Sequence, residues 1–195
     1  MTKQLVLGTI LGAIVLFVWG ALAWTLIPWP GDPIKMFTDE AAVAQAITAN
    51  APRSGNYLLP SMPRRTPGMT DQQYAAASKV MEERMSHGPI VFAAVRLEPF
   101  TSMTKPLLTN FVNQLLLALL ASVLLSQTRG LSYGARIGFV TALGVLIFLG
   151  GRVDEWIWWS FGNTYMLMQM GALIIGWFLA ALVIGKFVRG KATPA

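Results

Sequence analysis

The chain has 195 residues, 54% of them hydrophobic and 12% charged, against the roughly 25% charge of an ordinary soluble domain. It has no cysteine, one histidine (His87) and a formal net charge of +6, which excludes thiolate metal sites, Fe–S clusters, c-type haem attachment, disulfides and bis-histidine haem within the chain. The basic residues are scattered rather than gathered into a stripe, so they point to membrane topology and away from nucleic acid.

The first apolar run, residues 5–29, follows Lys3 alone. Ala21-Leu22-Ala23 imitates a signal-peptidase site, yet the apolar character continues through Trp24, Leu26 and Ile27, past the roughly 7–15 residues of a secretory h-region. An uncleaved anchor is expected. Pro28, Pro30 and Pro33 then end the helix, since proline removes donors and disfavours helix in the residue before it.

Residues 32–105 carry eight Lys/Arg and seven Asp/Glu, the composition of a small water-exposed domain. Thr38 is expected to cap a helix over 39–50, and residues 56–59 read as a strand. Residues 60–68, with Arg64 and Arg65, form an irregular loop. Thr70 with Gln73 is a capping-box pair opening a helix over 71–86, stopped by Gly88-Pro89, and residues 90–97 read as a second strand. A strand–helix–strand unit in one sheet is expected to be parallel. Two strands make a marginal sheet, so this segment should lie on the membrane helices or on another protein.

Residues 106–188 hold three further apolar runs, 107–126, 137–159 and 165–187. Each approaches the roughly 20 residues a helix needs to cross a hydrocarbon core, where only internally hydrogen-bonded backbone is tolerated. Pro106 opens the first of them. The fold class is therefore membrane all-α: four transmembrane helices with a small extracytoplasmic α/β insertion (α-β-α-β) between the first and second. Its parts are an anchor (1–31), the insertion (32–105) and a three-helix bundle with a cytoplasmic tail (106–195). Lys3, Arg129, Arg136, Lys186, Arg189 and Lys191 fall on one side of such a topology and Asp154 and Glu155 on the other. This places both termini in the cytoplasm.

Small residues mark candidate helix interfaces: Gly8, Gly12 and Gly20 on one face of the first helix, Gly134 and Gly138 on the third, and Ala172, Gly176 and Ala180 on the fourth. Asn110, Asn113 and Gln114, with Thr109, form a polar notch in the second helix. Carboxamides of this kind bond across helices. At the outer interface, Arg152, Asp154, Glu155, Trp156, Trp158 and Trp159 form a cluster in which Arg152 and Glu155, one turn apart, can pair. Trp156 and Trp159 share a face with Arg152 and are expected to pack beneath the insertion, with Trp158 turned to headgroups or a partner. The methionines include the i,i+4 pairs Met81/Met85 and Met166/Met170, whose thioethers suit Cu(I) but equally fill gaps in ordinary packing. No nucleophile signature, phosphate loop, zinc-protease motif or dinucleotide fingerprint is present, so neither an enzyme nor a bound cofactor is expected.

Two patches, DEAAVAQAITANAPRSGNYLLP at 39–60 and DEWIWWSFGNTYMLMQMGALIIGWFLAALVIG at 154–185, resemble a loose group of small bacterial inner-membrane proteins with one N-terminal anchor helix, an exported segment and three C-terminal helices. That resemblance implies the topology and a bacterial inner membrane, and brings no catalytic residue. The expected function is an accessory or assembly subunit of a larger membrane complex, its partners the lipid bilayer and other membrane subunits or further copies of itself. A small transporter or copper-handling protein using the outer methionines is the alternative. A cysteine placed at Ser61 should react with an impermeant thiol reagent in spheroplasts, and one at Thr128 only after lysis; the reverse labelling contradicts the orientation.

Overall fold

A computed structural model describes residues 2–191; the last residues of the expected tail, 192–195, lie outside the described residues. Four helical stretches are long and apolar enough to cross a membrane. They are α1 (Lys3–Thr25), α4 (Thr104–Gln127), α5 (Tyr133–Gly151) continued by α6 (Val153–Trp159), and α7 (Asn163–Phe187). The chain forms two compact units, one made of the residues up to Lys35 and from Ser102 onward, the other of Met36–Thr101.

In the first unit α1 packs along both α4 and α7, and α5 packs along α7, while α4 and α5 barely meet. Neighbouring helices run antiparallel: Gly8 and Gly12 of α1 lie against Val188 and Ile184 beside the chain termini, and Trp24 lies near Tyr165 at the opposite end. Small side chains make this closeness possible. Ala13, Ala118, Ala121, Ala180 and Ala181 are all buried around Leu125, Val140 and Ile184. A Cβ added to Gly12 would stand 2.6 Å from Ile184 Cγ1, and one added to Gly144 of α5 2.5 Å from Trp177 Cβ, so glycine at both sites is what lets the helices touch. The termini end is further tied by Lys191 N donating to Thr128 O at 2.8 Å and Arg136 Nη1 donating to Val188 O at 3.1 Å. The outward faces are apolar: Val6, Ile10, Ile14, Val18 and Leu22 form an exposed stripe on α1, and Leu108, Val112, Leu116 and Leu120 one on α4. A helix apolar on its buried and exposed sides alike suits a lipid solvent.

Several boundaries differ from the sequence reading, each for a local reason. The third apolar run is one span in length but breaks at Arg152, which caps α5 and precedes α6; Gly150 and Gly151 there are poor helix formers. Pro106 is the third residue of α4, which begins at Thr104, and the first-turn amides have no helical partner in any case.

The second unit contains α2 (Glu40–Asn50), β1 (Gly55–Leu59), α3 (Asp71–His87) and β2 (Val91–Val95). Asp39, rather than Thr38, caps α2, its Oδ1 accepting from Ala42 N at 2.9 Å. The capping box of α3 forms as expected, with Thr70 N donating to Gln73 Oε1 at 2.9 Å and Gln73 N donating to Thr70 Oγ1 at 3.2 Å. The expected parallel pairing is overturned: β1 and β2 are antiparallel, with Gly55 opposite Val95 and Leu59 opposite Val91. Loop and α3 leave and re-enter the ladder at the same end, so no crossover is made and the handedness rule does not operate. At the other end Ser54 Oγ accepts from Leu97 N at 2.8 Å and donates to Glu98 Oε2 at 2.6 Å, a bond that, with one from its own backbone, holds the Glu98 carboxyl below its ordinary pKa. Neither helix of this unit buries a residue, and Ala51 and Pro60 are the buried ones among the described residues.

Gly144→Val should drive its side chain into Trp177, costing about 1–3 kcal/mol. Melting in detergent is expected to fall by several degrees, whereas Gly134→Val, with open space around it, should leave it nearly unchanged. Equal effects would contradict this packing.

Candidate functional site

The bundle is closed at the termini end and opens toward the other. Every buried residue of α4 (Ala118, Ala121, Ser122, Leu125) lies in its second half. Beside its first half is a cavity of about 610 Å³ bounded by α1, α4, α5 and α7, with Trp19, Asn110, Asn113, Gln114, Arg152 and Gln169 among its lining residues. This volume lies within the range of small-molecule pockets.

The polar groups on the α4 wall come from its notch. Gln114 Nε2 donates to Asn110 Oδ1 at 3.1 Å, which leaves the Asn110 amide protons and the Gln114 carbonyl for other partners. Asn113 is exposed, and its side chain makes no hydrogen bond among the described residues. Six and nine residues beyond Thr104, Asn110 and Asn113 sit roughly 9 and 14 Å along the helix at 1.5 Å per residue. That is well inside a hydrocarbon layer of about 30 Å if α4 starts at its surface. On the facing walls Gln169 Nε2 donates to Tyr165 Oη at 3.2 Å. Trp19 Nε1 is committed to Ala172 O at 2.7 Å.

The small residues divide into two sets. Gly8 and Gly12 meet α7, and Gly176 takes the edge of the Trp19 ring, where an added Cβ would stand 2.6 Å from Cδ1. Ala180 is fully buried, and Ala172 meets α1 through its carbonyl. By contrast Gly20, Gly134 and Gly138 have open space where a Cβ would stand. Gly20 borders the cavity, whereas Gly134 and Gly138 are exposed on α5.

At the α5–α6 junction Arg152 Nη1 donates to both Glu155 oxygens at 3.1 Å. The pair is partly exposed, at 42% and 31%, and fixes the α5–α6 junction more than it stabilises the fold. Asp154 and Trp158 are exposed and Trp159 is half-buried. Trp156 Nε1 donates to Asn163 Oδ1 at 2.8 Å, spanning the turn between α6 and α7. Trp29 closes the end of α1, donating to Ala23 O at 2.6 Å. Of the methionines, Met166 and Met168 are buried in the bundle and Met85 is exposed on α3. Among the described residues no three His, Cys, Asp or Glu side chains gather into a metal-binding group.

Sequence reading missed three participants: Gln169, Trp19 and Gly144. Gln169 was findable as the one carboxamide between 164 and 188. Gly144 stands six residues from Gly138, off the four-residue spacing that marks a helix-contact face, and Trp19 carries no pattern that separates it from a lipid-facing aromatic. The site as built offers neutral donors and acceptors, one guanidinium engaged by Glu155, and no nucleophile beside a base. It is suited to binding. No family model, curated protein or solved structure matches this chain.

Proposed function

We propose that this chain is a non-catalytic multi-pass protein of the bacterial inner membrane, an accessory or assembly subunit of a larger membrane complex, with both termini cytoplasmic and residues 32–105 outside. What supports it above all is the lack of an interior in residues 36–101. Burying one Leu or Val side chain contributes about 1.5–3 kcal/mol, and this segment buries none, while Phe37, Met62, Ile90, Val91 and Phe100 are exposed. Its two-stranded sheet has no third strand on either edge among the described residues, and such edges accept a partner's backbone. The open Gly134–Gly138 face of α5 supplies a close-approach surface of the kind that membrane subunits use.

The tagged chain, extracted in mild detergent and measured by native mass spectrometry, is expected to carry another protein. Gly138→Leu should reduce that protein at least severalfold with the melting temperature of the chain unchanged. A chain that carries no other protein, with its melting intact, contradicts an accessory role.

A further inference from the structure

We infer that α4 is also a self-association helix, and that a second copy of this chain docks its own α4 against the row Asn110, Asn113, Leu117, Leu120 and Leu124. This deepens the subunit reading and rests on the chain being membrane-embedded. The row follows intervals of three, four, three and four residues, the a/d repeat of a left-handed helix pair. It is distinct from the face of α4 already in use, where Ala118, Ala121, Ser122 and Leu125 are buried. Four of its five residues are exposed, Leu120 and Leu124 at 60% and 49% and Asn110 and Asn113 as well, while Leu117 between them is half-buried against the core and borders the cavity with the two asparagines. It is also separate from the Gly134–Gly138 surface, which lies on α5.

The chemistry of the row selects the occupant. Copies of one sequence enter a membrane in one orientation, so two α4 helices pair in parallel and each residue of the row meets its own counterpart. A charged residue would meet its like there. A carboxamide carries both donor and acceptor, so Asn113 against Asn113 of the second copy makes reciprocal hydrogen bonds, and leucine against leucine packs. In hydrocarbon an amide without a partner is costly, and the Asn113 side chain has none among the described residues of its own chain. The rest of the row, Leu117, Leu120 and Leu124, is apolar, and a polar residue in such an a/d row fixes register and strand number.

The chain contains no cysteine, so single substitutions report without background. In native membranes treated with a mild oxidant, Leu120→Cys and Leu124→Cys should give disulfide-linked dimers, while Leu108→Cys and Val112→Cys, pointing away from the row, should not. In the Leu120→Cys background, Asn113→Leu is expected to lower the dimer fraction roughly three- to tenfold and Asn113→Gln to restore most of it. Cross-linking without preference for the row, or none at the row, overturns the proposal. Should another protein still co-purify in that case, the homodimer falls and the accessory reading stands; a row-specific homodimer that carries no other protein supports the pairing and removes the accessory reading.

Discussion

Two side chains of α7 hold the four-helix unit together by resting on glycines of its neighbours, Ile184 on Gly12 of α1 and Trp177 on Gly144 of α5. In lipid there is no hydrophobic gain in moving one apolar helix against another, so close van der Waals contact has to supply the association, and it requires backbones without intervening Cβ atoms. The alanines at 13, 118, 121, 180 and 181, all essentially buried, extend the same device along α1, α4 and α7. Because these contacts concentrate at the termini end, α7 and α1 form the fixed centre, and α4 and α5 are held on its flanks rather than by each other.

The open end follows from that arrangement. With the buried residues of α4 confined to its second half, the carboxamides of the first half are left beside the cavity and not packed between helices. The unit thus combines a packed end, which needs nothing further, with a cavity and a polar row that remain unsatisfied. Residues 36–101 repeat the contrast: caps and ladder are formed with ordinary geometry, yet no apolar core lies beneath them. Local hydrogen bonding can specify such elements. It does not supply the burial that stabilises a domain of this size.

The four long apolar helices were legible in the sequence because their signal is one-dimensional: enough consecutive apolar residues, of the length a bilayer would require, and helix is the outcome. The α3 capping box and the Arg152–Glu155 pair were legible because they are local. The sheet was not. Whether β1 and β2 run parallel depends on which end of the ladder residues 60–90 return to, and nothing within a few residues of either strand encodes that. The glycine faces were half legible: Gly12 and Gly138 have similar surroundings in sequence, and only the packing of α7 decides that one is filled by Ile184 and the other left open. The notch of Asn110, Asn113 and Gln114 was visible as a cluster, whereas its place on an open cavity required the separation of α4 from α5.

If other protein covers residues 36–101 and the first half of α4, as we propose, isolating the chain must expose them and leave the termini end of the bundle unchanged. Backbone hydrogen exchange, compared between native membrane vesicles and the purified single chain, tests it most directly. Residues 36–101 and 104–117 are expected to exchange much faster once the chain is isolated, while 8–16, 137–148 and 177–188 stay equally protected. Unchanged protection of 36–101 and 104–117 on isolation would contradict it.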